Sequence, residues 1–167
     1  MVDYQTLSII FAGLSIGLAA IYYMMTLRNS QRAQQQQVET RQAQMFMGIY
    51  NQMNQPDFID AWMAVMKMEW SNWEEYMQIY NDPELNRNLL VVGMFYEGLG
   101  VLVKNNLVPM KLFAETITGF TRMWWEKFIP ILEEGRREFD SPRWYSETEY
   151  LYNELMKYLE EHPELKT

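Results

Sequence analysis

Apolar and polar positions divide the chain into three stretches. From Leu7 to Leu27 there is no charged residue in 21 positions. A helix of that length is roughly 31 Å long, close to the hydrocarbon thickness of a bilayer. From Arg28 to Gln37, "RNSQRAQQQQ", the chain is polar on every side. Gln, Arg and Ala are good helix formers and nothing there breaks the backbone, so one helix is expected to continue through it. The alternative is a flexible Gln-rich linker. From Val38 the apolar spacing returns, with Val38, Met45, Ile49 and Met53 on one stripe and Phe46 and Tyr50 beside it. That part should dock on a folded domain and end at Asn54, Gln55 and Pro56.

Further helical stretches follow. Phe58 to Trp70 is one. "SNWE" (Ser71–Glu74) reads as a capping box opening a short helix to about Tyr80. Asp82 and Pro83 open a long helix to about Lys104. Pro109 opens another that runs through "TRMWWEKF" until Pro130 kinks or divides it before "ILEEGRREF". "SPRW" and "SETE" mark further starts. Ser146 with Glu149 makes a second capping box, and the last helix reaches about Glu161. No run alternates with period two for long enough to be a strand. The expected fold is all-α, with a transmembrane helix at 7–27, a juxtamembrane helix at 28–53 and a compact antiparallel helical domain at 54–167.

The apolar run reads as an uncleaved anchor rather than a secretory signal. No Lys or Arg precedes it, and its far end, "IYYMMTLR", is bulky and unlike a small-x-small cleavage site. Asp3 precedes the span; Arg28, Arg32 and Arg41 follow it. Cytoplasmic flanks favour Lys and Arg, which places residues 1–6 outside and the C-terminal domain in the cytoplasm. Arg28 and Arg32 would lie against lipid headgroups, and Tyr22 and Tyr23 near the inner interface. Two faces of the span carry small residues: Gly13, Gly17 and Ala20 on one, Ser8, Ala12, Ser15 and Ala19 on the other. Small residues let helix backbones approach closely in lipid, so these faces are candidate packing surfaces.

Charge and composition narrow the function. Hydrophobic content of 49% and aromatic content of 15% suffice for a packed core. The net charge of −8 is unevenly placed: residues 1–53 carry +1 and the rest −9. An acidic domain repels phosphate backbones, which argues against nucleic-acid binding. There is no cysteine, and His162 is the only histidine. Zinc fingers, His-ligated haem, iron–sulfur clusters and Ser-His-Asp or Cys-His catalysis are thereby excluded. No Gly-rich phosphate loop is present. No cofactor, metal site or catalytic residue is expected.

Glu97 is the charge that stands out, lying in "LLVVGMFYEGLGVLV" on a stripe with Gly93, Gly100 and Lys104. The glycines would let a neighbouring helix come close and bury the carboxylate, which then needs a cation or hydrogen-bond donors. Arg122 is the candidate partner, giving a buried Glu97–Arg122 ion pair; a general acid/base role for Glu97 is the alternative. The six tryptophans could line a pocket or cage a cation, although aromatic residues at helical spacing are usually core.

"FYEGLGVLVKNNLVP" (Phe95–Pro109), "WWEKFIP" (Trp124–Pro130) and Arg136 together resemble a family of uncharacterised single-span bacterial and archaeal proteins, a domain of unknown function. The resemblance implies an N-terminal span, a polar juxtamembrane helix and a small helical domain over roughly residues 7–140, with no established activity. The paired Trp and the acidic tail after Asp140 depart from it. A membrane-anchored scaffold or interaction subunit is the expected function, with the lipid bilayer, other membrane subunits or copies of itself as partners. A tethered sensor that switches assembly state is the alternative, and an enzyme using Glu97 the third.

Overall fold

The computed structural model of the chain describes residues 3–165. Met1 and Val2, the head of the segment expected outside the membrane, lie outside the described residues, as do Lys166 and Thr167. The described residues are all-α with no strand among them. In order they form α1 (Tyr4–Met53), α2 (Pro56–Lys67), α3 (Trp73–Tyr80), α4 (Pro83–Lys104), α5 (Met110–Ala114), α6 (Thr118–Phe128), a 3-10 turn (Ile129–Ile131), α7 (Leu132–Glu138), α8 (Ser146–Glu161) and a final 3-10 turn (Pro163–Leu165).

The chain divides into two compact units at Arg41 and Gln42. The first is helix α1 up to Arg41, and every side chain described in it is exposed. Three of its hydroxyls turn inward on the backbone: Ser15 donates to the Phe11 carbonyl at 2.8 Å, Thr26 to the Tyr22 carbonyl at 2.9 Å and Thr40 to the Gln36 carbonyl at 2.8 Å. Polar side chains that bond within their own helix leave no donor facing an apolar medium.

The second unit begins with the last turns of α1. Ile49 is buried, Phe46 and Met53 are half-buried against the same core, and Gln42 donates through Nε2 to the Asn106 carbonyl at 2.8 Å. Val38 and Met45, expected on the docking stripe, and Tyr50 beside it are exposed. Pro56 occupies the first turn of α2, which buries Phe58, Ala61 and Val65. Asp82 caps α4 by accepting from the Glu84 and Leu85 amides at 2.9 and 3.0 Å. α4 is the central helix. It buries Leu89, Val92, Phe95, Tyr96, Leu99 and Val103, and packs chiefly on α8 and α2. All six tryptophans, Trp62, Trp70, Trp73, Trp124, Trp125 and Trp144, pack in or against the core, as the helical spacing suggests, with Tyr96 stacked on Trp124 at 5.5 Å.

Three local expectations change. The box at Ser71–Glu74 is displaced by one residue: Asn72 caps α3 through the Glu75 amide, and Glu75 reaches back to the Ser71 amide at 2.7 Å. The single helix expected from Pro109 through "TRMWWEKF" is split at Glu115–Ile117. There the Thr116 and Thr118 hydroxyls take the Leu112 and Ala114 carbonyls, each at 2.7 Å, and such side-chain bonds compete with the backbone's own ladder. "SPRW" starts no helix; residues 141–145 form turns, closed by the Trp144 amide on the Ser141 carbonyl and the Ser146 amide on the Arg143 carbonyl. Pro130 does divide α6 from α7, through the 3-10 turn.

Gly100 lies where α8 meets α4, and a Cβ built there would stand 2.0 Å from the Glu147 carbonyl oxygen. The obstacle is backbone, which cannot rotate away. Gly100→Ala should therefore lower the melting temperature, the overpacking cost of about 1–3 kcal/mol outweighing the helix-propensity gain of about 1 kcal/mol. Thermal unfolding followed by circular dichroism measures it.

Candidate functional site

The densest polar constellation in the second unit is built where the N-terminus of α8 lands on α4. Gly93 and Gly100, two turns apart, leave room for it. Tyr145 fills the space over Gly93, where a Cβ would meet the phenol oxygen at 2.3 Å. Tyr145 takes a left-handed backbone, φ 56°, to end the turn before α8. Its ring packs against Phe128 at 4.9 Å and Trp144 at 4.8 Å, contacts that offset the backbone cost. Burial raises the pKa of the Tyr145 phenol well above its ordinary value, so it stays neutral.

Glu97 faces the free end of α8. Its Oε1 accepts from the Thr148 amide at 2.8 Å and from the Thr148 hydroxyl at 2.7 Å. The first amides of a helix have no partner within the helix, and an acceptor normally comes from the residue just before it. Here that residue is Tyr145, whose side chain makes no cap bond. A carboxylate 51 residues earlier in sequence does the capping, and its charge is favoured by the helix dipole. The box expected from Ser146 and Glu149 does not form, because Ser146 is already inside the helix and Glu149 turns to Arg136 at 2.6 Å.

The Glu97–Arg122 ion pair is also absent. Arg122 lies on α6 with 43% of its side chain exposed and pairs with Glu126 one turn on, at 3.3 Å. Glu97 is half-buried and needs no cation, since two donors on Thr148 satisfy it. The cation on its stripe, Lys104, instead holds Glu147 through both oxygens, at 3.1 and 2.9 Å. Arg143 adds a bond to Glu147 at 3.0 Å. The Lys104 hydrogen bond holds the Glu147 carboxyl below its ordinary pKa of 4.5, with Arg143 assisting against the effect of burial. Arg136 completes the junction from α7. It joins Glu133 at 3.1 Å, Glu149 at 2.6 Å and the Trp144 carbonyl at 3.2 Å, whereas the neighbouring Arg137 is exposed and pairs with Glu134 at 2.8 Å.

Each carboxylate of this junction is engaged by a helix end or a cation. Among the described residues no group of three or more His, Cys, Asp or Glu could hold a metal ion. A separate cleft of about 440 Å³ lies between the end of α1, α2 and the start of α6, lined by Met53, Phe58, Trp62, Ile117 and Phe120 among others. It is apolar and contains no charged side chain.

The seven small residues singled out on the span, Ser8, Ala12, Gly13, Ser15, Gly17, Ala19 and Ala20, are exposed along α1, and a Cβ on Gly13 or Gly17 would meet nothing within 4 Å. Arg28 and Arg32 are exposed further along the same helix. Thr148, Tyr145 and Glu147 were missed by the sequence reading. The available signal was Lys104, a second charge on the glycine stripe, which called for an acidic partner on whichever helix filled the groove.

A family model, described as a domain of unknown function (DUF4760), matches residues 7–155. The chain belongs to that family. No curated protein and no solved structure matches it. The DUF4760 match takes in α4 and most of α8, so the whole Glu97–Thr148 junction lies inside the family's domain. It also runs past Asp140, where the resemblance noted in the sequence stops. Among the described residues of the match one helix, from Leu7, is long and apolar enough to cross a membrane.

Glu97→Ala should destabilise the second unit by about 1–2 kcal/mol, the cost of losing a helix cap and stranding its donors. Arg122→Ala should cost no more than about 0.5 kcal/mol, as expected of an exposed pair one turn apart. Urea unfolding of the two variants separates a cap from an ion pair. Glu147 adds a pH dependence. With its folded pKa depressed, its stabilising contribution is complete above its ordinary 4.5 and is lost as pH falls through the lower folded value. Glu147→Gln should therefore flatten the acid side of the stability curve and leave its neutral-to-alkaline side parallel to the parent, as read by melting temperature against pH.

Proposed function

We propose that this chain is a membrane-anchored, non-catalytic interaction subunit whose helical domain lies in the cytoplasm. The observation that carries the reading is α1 itself. From Leu7 to Leu27 it is a helix without a charge and without a buried side chain among those described, and so without a protein core of its own to enter. An apolar helix surface of that length is unfavourable in water and favourable in lipid. Arg28, Arg32 and Arg41 follow the span and support the cytoplasmic placement. Glu97 acting as a helix cap supports a structural reading over an acid/base one. Partners are other membrane subunits or further copies, approached in part through the small-residue faces of the span.

The chain has no cysteine, which makes single introduced cysteines clean reporters. Asp3→Cys in intact cells should react with an impermeant maleimide, and Glu160→Cys only after lysis. The protein should resist carbonate extraction and keep the mass of the uncleaved chain. A mature form beginning after the apolar run would identify a signal sequence and overturn the reading; the reverse labelling pattern would overturn the orientation. Gly13→Ile with Gly17→Ile keeps the span apolar but blocks close approach. Crosslinking between spans should fall in that variant while it stays in the membrane fraction.

A further inference from the structure

The polar stretch of α1 is a helix with little to support it. From Arg28 to Arg41 every side chain is exposed, yet α1 runs unbroken from Tyr4 to Met53. The one bond between two side chains of this stretch among the described residues is Gln35 Nε2 on Glu39 Oε1, at 3.0 Å. A helix that is polar all round and lacks a network of such pairs is not stable alone in water, so a partner along it is called for. One line joins this stretch to the span. Within the span it holds Gly13, Gly17 and Ala20. The same alternating steps of three and four carry it through Met24 and Leu27 to Gln31, Gln34 and Val38, all exposed. That is the 3.5-residue spacing of a seam between two supercoiled helices. The other small-residue face runs instead into Tyr22 and Thr26. The Tyr22 ring holds a neighbour off, and the Ser15 and Thr26 hydroxyls are already on their own helix.

We propose that this line is where α1 pairs with α1 of a second copy, parallel and in register, from the span out to Val38. Residues 28–38 then form the outer half of a two-stranded stalk. The chemistry of the line argues for that occupant. In lipid it presents small residues, and a Cβ on Gly13 or Gly17 would meet nothing within 4 Å, which is the room that close helix packing needs. Beyond the apolar run it presents Gln31 and Gln34. An amide carries both a donor and an acceptor, so each can bond its own kind on the other helix. A second copy crossing the same membrane in the same direction brings every change of chemistry to the same height. Ile10 and Val38 occupy one position of the repeat and Leu27 the other, the arrangement that favours two strands.

Charge sets where the contact ends. Arg32 and Glu39 lie off the line, and from Ser30 to Val38 neither the line nor the positions flanking it carry a charge. The next residue on the line is Arg41, which in register would face the Arg41 of the copy, and like charges set opposite each other are unfavourable. Arg41 is also the last residue of the first compact unit, so the pairing lies wholly within that unit. From Ile10 to Val38 the line covers four heptads, roughly 42 Å of helix, long enough for a coiled coil. Both helices enter the bilayer in the same direction, so confinement to one membrane raises the effective concentration of copies. The inference deepens the anchored reading above and rests on it in this respect.

The test uses the full chain in isolated membranes, with single cysteines placed in turn along the polar stretch. Mild oxidation should give same-residue disulfides at Gln31→Cys, Gln34→Cys and Val38→Cys several-fold above those at Asn29→Cys, Ala33→Cys and Gln36→Cys, which lie on the opposite side of the helix. A flat profile, or maxima at 29, 33 and 36, would overturn the proposal. Gln31→Glu with Gln34→Glu keeps helix propensity but sets like charges across the seam. The Val38→Cys disulfide should then fall several-fold, whereas Ala33→Glu with Gln36→Glu adds the same charge off the seam and should leave it at the parental yield. Equal loss in both pairs would mean repulsion without a specific contact and would also overturn it. Gly13→Ile with Gly17→Ile should lower the Gln34→Cys yield, because the seam is continuous; an unchanged yield overturns that continuity. Carbonate extraction accompanies each measurement. A flat profile from protein that stays in the membrane sinks the seam alone, and protein that is extracted sinks the anchored reading.

Discussion

The second unit depends on one close approach, that of the first turn of α8 to α4. Gly93 and Gly100 remove the side chains that would hold the two backbones apart. The gap they leave brings a helix end, with its unpaired amides, into a largely apolar setting. A helix end buried without acceptors costs about as much as a lost hydrogen bond for each orphan donor. Glu97, one turn from each glycine, supplies the acceptor. Lys104 and Arg143 then neutralise Glu147, which the same approach has buried. Steric room, cap and counter-charge are thus spaced along one face of one helix.

Much of this was legible in the sequence, and what was missed was missed for definable reasons. The glycine stripe with its acidic and basic members predicted a close helix contact with polar groups inside it. Asp82, Pro83 and Lys104 marked both ends of α4, because caps and prolines act within a turn. The partner of Glu97 was not legible, since a carboxylate can be satisfied by donors as well as by a cation. One of those donors is the backbone amide of Thr148, and backbone donors have no letter in the sequence. The box at Ser146 failed for a related reason: its geometry requires Ser146 before the helix, and the packing of Tyr145 moves the boundary back by one residue. The split at Glu115–Ile117 turned on two threonine hydroxyls taking carbonyls, a competition that composition alone does not resolve.

The two faces of α4 obey different spacings, and this separates their roles. Leu89, Val92, Phe95, Tyr96, Leu99 and Val103 form the broad inward surface of a helix that supports a core from several sides. Val91, Met94, Gly98 and Val101 form a narrow exposed stripe, with Ile49 and Gln52 of α1 lining the groove beside it. α1 shows a comparable division along its length rather than around it, apolar to Leu27, polar to Gln37, and one-sided near Phe46, Ile49 and Met53. In both helices what each segment can touch is set by the angular width of its apolar surface.

The clasp between Glu97 and Thr148 also has a kinetic meaning. Both donors of Thr148 rest on one oxygen, so they form and break together. Docking α8 closes a chain segment of about 50 residues, and the entropy of that closure must be met before either bond contributes. Loss of the clasp unpairs both Thr148 donors at once and loosens the contact of α8 with α4. α8 therefore has little scope to fray from its first residue. The clasp thus ties the start of α8 to α4 across about 50 residues of chain, in the manner of a latch.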